Sequence, residues 1–243
     1  MWDNAPLLKS IANTLAVSSV LAVLVGVVYY LVHLPGLFPL QSVHLGAAPQ
    51  QVAVQQVLQT LRAETTGNFF TVDIDRLRQS LEKLPWVRSV SIRREFPQRL
   101  TVQLEEHQVL ARWNPKGNDS ALVNKQGEVF FVGAESNAHS EQALPSFIGP
   151  EGGSAEVALH YADFSRQLEP LGLQAVQLAL SARHAWQLRL NNGMVLELGR
   201  EDMQQRLARF VSVKKTHDMG SVQYVDLRYR NGFAVRNITN AKG

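Results

Sequence analysis

From Ser10 to Val32 the chain carries no Lys, Arg, Asp or Glu. A helix rises about 1.5 Å per residue, so this run reaches about 34 Å, enough to cross a hydrocarbon core of about 30 Å. The sequence therefore predicts one transmembrane helix over 10–32, a short tail over 1–9, and everything else on the far side of a membrane. A secretory signal is the competing reading, but the run exceeds the usual apolar stretch of about 7–15 residues. Cleavage after Gly46-Ala47-Ala48 would also lie too far downstream. Lys9 is offset by Asp3, and no Lys or Arg occurs between Lys9 and Arg62. That asymmetry favours a cytoplasmic N-terminus and a translocated remainder, which in a bacterium with an outer membrane is periplasmic. Within the span Thr14, Ser18, Ala22 and Gly26 recur at four-residue spacing. They form either a small-residue stripe for a neighbouring helix, with Ser18, Ala22 and Gly26 as its contacts, or small residues facing lipid.

Removing the span leaves about 200 residues, enough for two small domains. The formal net charge is +3, and no run of five or six like charges occurs, so nucleic acid is not indicated. Arg93-Arg94 reads as a solvated strand end. With no cysteine, disulfides, thiolate metal sites and cysteine nucleophiles are excluded.

Pro35, Gly36 and Pro39 end the helix. Val43 and Leu45 alternate with Ser42 and His44 as a short strand, and Val54, Val57, Leu58 and Leu61 follow at helical spacing. After Thr65-Thr66-Gly67-Asn68 and the apolar Phe69-Phe70, Asp73 reads as the N-cap of a helix with Leu77, Leu81 and Leu84 on one face, stopping at Pro85. Val90 and Ile92, then Leu100, Val102 and Leu104, mark two strands joined at Glu95-Phe96-Pro97-Gln98. Strand, helix, helix, strand, strand predicts a small α+β layer with both helices on one sheet face.

Past Trp113 the composition turns to Asn, Gly and Asp. Ala121-Leu122-Val123 and Val129 to Val132 predict a hairpin, and Glu135 to Gln142 reads as a loose segment. Val157, Tyr161, Phe164 and Leu168 predict a helix closed by Pro170 and Gly172. Val176, Leu178 and Leu180 mark a strand. Trp186, Leu188 and Leu190 lead into Asn192-Gly193, a strong hairpin signal, and Met194, Leu196 and Leu198 lead away. Met203, Leu207, Phe210 and Val211 predict a further helix. Val225, Leu227 and Tyr229 read as a strand, followed by Asn231-Gly232 and a last strand over Phe233 to Ile238. The whole is an α+β architecture whose second half is a mostly antiparallel sheet with a few packed helices.

Leu84-Pro85-Trp86-Val87, Val90-Ser91-Ile92-Arg93, Phe96-Pro97, Leu100-Thr101-Val102, Glu105-Glu106 and Ala111-Arg112-Trp113 together resemble the POTRA module of the FtsQ/DivIB family of cell-division proteins. Ser181-Ala182-Arg183, Trp186-Gln187-Leu188, Leu198-Gly199-Arg200 and Arg206-Leu207-Ala208-Arg209-Phe210 are similar to that family's β domain. So are Tyr224-Val225-Asp226-Leu227-Arg228-Tyr229 and Asn231-Gly232-Phe233-Ala234-Val235. The resemblance covers nearly the whole chain in order and implies a POTRA domain (βααββ) over 37–112 and an FtsQ-type β domain over 113–243. It further implies that the C-terminal edge strand receives the partner FtsB, itself paired with FtsL. Tyr229 would then be the aromatic anchor and Arg183 the cation meeting an acidic partner residue. Arg228 would lie beside them, with Gly232, Phe233, Ala234 and Val235 along the pairing edge. Read from the residues alone, Tyr229 shares parity with Val225 and Leu227, which predicts a core position, and Arg183 reads as an ordinary surface arginine. Asn237 departs from the family, since some members carry Trp there.

Nothing in the sequence assembles into catalysis. The seven histidines are scattered, none at metal-ligand spacing. Asp73 and Asp75 read as a cap and a solvated neighbour, and Glu105 and Glu106 are adjacent on a strand and so point to opposite faces. Gly149-Pro150-Glu151-Gly152-Gly153 lacks the Lys-Ser/Thr of a phosphate loop, and no nucleophile elbow occurs. The expectation is a non-enzymatic, cofactor-free, single-pass divisome scaffold of the cell inner membrane, located at the septum. It would govern assembly of septal peptidoglycan synthesis without a small-molecule substrate. A POTRA-containing outer-membrane assembly or translocation factor is the alternative, though the chain lacks the repeated alternating segments of a barrel. A membrane-anchored cell-wall hydrolase would need the missing catalytic groups.

Overall fold

In the computed structural model, residues 5–34, 36–114, 121–132, 144–217 and 222–236 are described. The chain divides into two compact units, one ending at Glu106 and one beginning at His107.

The first unit opens with α1 (Ala5–His33). Leu8 to His33 is long and apolar enough to cross a membrane, and every side chain from Leu8 to Leu31 is exposed. A helix apolar on all sides with no protein against it matches lipid as its solvent. The remainder is β1 (Ser42–Leu45), α2 (Val54–Glu64), α3 (Ile74–Glu82), β2 (Val87–Glu95) and β3 (Arg99–Glu106), which is the expected βααββ order. β3 is the central strand, parallel to β1 from Ser42 opposite Arg99 to Leu45 opposite Val102, and antiparallel to β2. Its inward residues Leu100 and Val102 are buried with Val57, Leu61, Leu77, Leu81 and Val90. Asp73 caps α3 by accepting from the Arg76 backbone N–H at 2.9 Å, as its position in the sequence predicts. Glu106 accepts from the backbone N–H groups of Gln50, Gln51 and Val52, each at 2.9 Å. Glu105 instead meets Arg88 at 2.7 Å and the Ser89 hydroxyl at 2.9 Å. The two neighbouring carboxylates thus serve separate partners.

The second unit is one nine-stranded sheet. Its strands are β4 (Val109–Trp113), β5 (Ala121–Asn124), β6 (Val129–Phe131), β7 (Ser146–Ile148), β8 (Ala175–Leu180), β9 (Trp186–Leu190), β10 (Val195–Gly199), β11 (Tyr224–Asp226) and β12 (Ala234–Arg236). Their order across the sheet is β12-β11-β10-β9-β8-β7-β4-β5-β6. Most pairings are antiparallel; β4 with β7, β7 with β8, and β10 with β11 are parallel. Two helices, α4 (Ser154–Leu168) and α5 (Met203–Thr216), pack on β8, on β10 and against each other. Trp186, Phe147, Phe164 and Phe210 fill the space between, all fully buried.

Three details depart from the sequence expectation. β4, which carries Ala111-Arg112-Trp113, pairs with β5 and β7, so the contacts part the chain a few residues before the expected division at 112/113. In β8 a register shift between Ala175 and Gln177 flips parity, leaving Val176 40% exposed while Ala175, Leu178 and Leu180 are buried; an inserted residue does this to any alternating pattern. Finally β11 stops at Asp226, and β12 is described only from Ala234 to Arg236. The expected loose segment over 135–142, the last-strand residue Ile238 and the family departure at Asn237 lie outside the described residues.

A candidate partner-binding edge

β11 lies parallel to β10, Val195 opposite Tyr224 and Glu197 opposite Asp226, because α5 carries the chain back across the sheet between them. The strand then breaks. The buried Asp226 carboxylate accepts from the backbone N–H of Arg228 at 3.0 Å and from its Nε at 2.9 Å through one oxygen, and from its Nη2 at 2.7 Å through the other. This Asx-type turn competes with strand continuation. Leu227 still donates to β10, to the Glu197 carbonyl at 2.9 Å, and remains buried.

Beyond it the chain swings outward. Tyr229, which strand parity would place in the core, is 57% exposed because the strand ends before reaching it. Arg209 on α5 donates to the Tyr229 carbonyl at 3.1 Å, which fixes the backbone while leaving the ring free. Phe233 is half-buried, its ring edge-on to Phe210 at 6.3 Å. Adding a Cβ at Gly232 would meet nothing within 4 Å, so the backbone there is open to close approach.

β12 pairs with β11 through Tyr224 opposite Arg236, Val225 opposite Val235 and Asp226 opposite Ala234. It is the end strand of the sheet, Ala234, Val235 and Arg236 are all exposed, and Val235 is 52% exposed. Among the described residues no strand pairs with its outer side, and an edge of this kind can accept an added strand. The Arg236 guanidinium sits 5.5 Å over the Tyr224 ring, a cation–π contact that holds the short strand down.

Arg183 lies in the turn between β8 and β9 and is exposed. The registers carry that turn to the same sheet end as Arg228, since β9 begins at Trp186 opposite Gly199, where β10 ends. There a shallow pocket of about 250 Å³ is lined by Ala185, Gly199, Arg200, Glu201, Arg206 and Arg228. Gly199 adopts φ +78, and an added Cβ would come within 2.8 Å of Arg206 and 3.0 Å of Arg228; glycine lets both arginines close over the end of β10. Arg228 and hydrogen bonding from it hold the Asp226 carboxyl below the usual carboxylate range, with Arg206 assisting and burial opposing. Asp226 in turn raises the Arg228 guanidinium. Burial, then Glu197 and Asp226, push the Tyr224 phenol up.

The expected contacts from Arg183 to Val235 therefore share one end and one edge of one sheet. Ser18, Ala22 and Gly26 belong to the first unit, exposed along α1, with the Ser18 hydroxyl bonded to its own helix at Leu15. Sequence reading passed over the residues that position the edge: Asp226, Gly199, Arg206 and Arg209. The Asp-x-Arg spacing at 226–228 was the available signal. Among the described residues no three His, Asp or Glu gather to hold a metal. A roomier cavity of about 540 Å³ beside α4, rimmed by Tyr161, Arg166 and Glu169, has no convergent acid–base pair.

Comparison with known proteins gives a two-part match. Residues 38–107 match the POTRA domain, FtsQ-type, and residues 111–228 match the C-terminal region of cell division protein FtsQ/DivIB. The chain is 41% identical to cell division protein FtsQ of Nitrosospira multiformis over 97% of this chain and 99% of that one. It is 38% identical to that of Burkholderia pseudomallei over 97% and 94%. The Escherichia coli protein is 38% identical over 70% of this chain and 62% of its own.

Proposed function

The chain belongs to the FtsQ/DivIB family of cell division proteins, and from that premise we propose that it is a non-enzymatic, single-pass scaffold of the divisome. In this reading residues 1–9 are cytoplasmic, 10–32 cross the inner membrane, and the POTRA and β domains stand in the periplasm at the septum. The outer edge of β12 receives a strand of FtsB, which brings FtsL, and through them the scaffold controls assembly of septal peptidoglycan synthesis. Tyr229 and Arg183 supply the anchoring ring and cation, types enriched in binding hot spots. The POTRA module and the Ser18-Ala22-Gly26 face of α1 engage other division proteins. Confinement to the bilayer adds several moderate contacts into one stable assembly by raising effective concentration.

The observation that supports this most directly is an end strand whose outer side no described strand covers, next to the 57% exposed Tyr229. A photo-crosslinking residue at Val235, compared with one at Val129 on the opposite end strand β6, tests it in dividing cells. An FtsB adduct from position 235 alone is expected. Equal adducts from both, or none from 235, would reject β12 as the site. Depletion should leave filaments with unsplit septa; loss of outer-membrane proteins instead would point to an assembly factor.

A further inference from the structure

We propose that the end of the first unit facing α1 is a lipid-docking tip that seats its exposed phenylalanines in the headgroup region of the bilayer. The inference rests on α1 being the membrane span. Two observations fix which end of the small sheet meets the bilayer. β1 is parallel to β3 and starts opposite Arg99, and the Gln41 N–H donates to the Gln98 carbonyl at 3.1 Å. The β2–β3 turn at 96–98 is thus at the end where the chain arrives from the helix. Independently, the buried Asn68 side chain donates to the Val32 carbonyl at 2.6 Å and the Leu34 carbonyl at 3.2 Å. Those carbonyls are among the ones a helix leaves unpaired at its C-terminus, so the 68–71 turn is bolted to the place where the span leaves hydrocarbon.

The aromatic rings at this end form a chain. Phe38 meets Phe70 edge-on at 5.1 Å, Phe70 meets Phe69 at 5.1 Å, and Phe69 meets Phe96 at 6.4 Å. Phe69 is buried and serves as the root, while Phe96 is 77% exposed and Phe70, Phe38 and Leu37 are each about two-fifths exposed. Tyr29 and Tyr30, in the last turns of α1, are exposed too, which is the level at which aromatic belts mark the interface. The phenylalanines continue that belt off the helix. Contiguous apolar surface is costly in water and favourable at the acyl boundary. Charge agrees: Arg93, Arg94 and Arg99 outnumber Glu95 here. Arg94 is braced by donating to the Val72 carbonyl at 2.7 Å, suiting anionic headgroups. Continuity with the span selects lipid as the occupant over a soluble partner.

The chain has no cysteine, so Phe96→Cys, Phe70→Cys, Leu15→Cys and Leu159→Cys can each be nitroxide-labelled in the full chain. The labelled proteins are placed in nanodiscs of phosphatidylethanolamine and phosphatidylglycerol, and power saturation compares access to oxygen with access to a water-soluble nickel chelate. Labels at 96 and 70 should show an oxygen-to-nickel ratio at least about fivefold above the exposed Leu159 position, as interfacial burial requires. Replacing Arg93 and Arg99 with Glu should lower that ratio. Ratios at 96 and 70 equal to that at 159, with 15 still in hydrocarbon, would overturn the docking while leaving the span intact. Shielding that appears only when a division partner is added would overturn it as well. A label at 15 open to nickel would remove the span and the docking together.

Discussion

One carboxylate oxygen of Asp226 accepts both the backbone N–H and the Nε–H of Arg228, at 3.0 and 2.9 Å, while the other accepts Nη2–H at 2.7 Å. This clamp ends β11 and turns Tyr229 out of the sheet. Asp226→Ala removes the acceptor of three bonds, two of them from a guanidinium. Stability should fall by about 1–3 kcal/mol, the lower part being expected because Arg228 is itself half open to solvent. Thermal unfolding of the full chain in micelles, with FtsB affinity measured alongside, checks it; unchanged values for both would mean the clamp shapes nothing.

The same pair sets a pH window. Asp226 titrates lower in the folded chain than free, so its contribution is fully present above the ordinary aspartate value of about 3.9 and is lost as pH falls through the lower folded value. Turn geometry and partner binding should therefore be level between about pH 5 and pH 8 and weaken only below about pH 4. Isothermal titration across that range is the measurement, and a loss already at pH 6 would contradict the assignment.

Tyr229→Ala and Val235→Glu alter exposed side chains, so folding stability should hold while binding fails. A hot-spot tyrosine is worth about 2 kcal/mol or more, which is about 30-fold in Kd. Arg183→Glu should weaken binding further at low salt than at high salt, because a rim charge is screened. Wild-type affinity in all three would remove these residues from the interface.

Gly127→Ala should damage the β domain far from the edge. Gly127 has φ +83, and its added Cβ would lie 2.5 Å from the Ala155 Cα at the start of α4, where Ser154 Oγ also donates to the Gly127 carbonyl at 2.7 Å. Left-handed strain of about 1–2 kcal/mol and overpacking of about 1–3 kcal/mol add. Denaturant unfolding should show a loss of about 3 kcal/mol, and a loss under 1 kcal/mol would mean α4 can shift away.

Where local chemistry decides, the sequence was readable. Asn192-Gly193 produced its hairpin, Asp73 its cap, and Val157, Phe164 and Leu168 their helix face. Where pairing between distant segments decides, it was not. β7 has three residues, too few for periodicity, and owes its existence to β4 and β8 on either side. The membership of β4 depends on strands that follow it. Strand parity alone would turn Val176 and Tyr229 inward, and it fails at both because a period-two pattern holds only while register does: a bulge ends it in one case, a side-chain clamp in the other. Arg183, Tyr229 and Val235 became candidates through family resemblance. Asp226, whose clamp on Arg228 ends the strand ahead of Tyr229, carries a strand-like pattern that conceals a turn.

The parallel pairing of β10 with β11 has a temporal meaning. Two parallel neighbours cannot close as a hairpin, so α5 must emerge and fold back before β11 finds its place, and β12 can only follow β11. A chain synthesised only through β10 has β10, not β12, as the end strand of its sheet. On the proposed reading, the partner-binding edge would exist only once the chain has passed α5 and β11 and added β12.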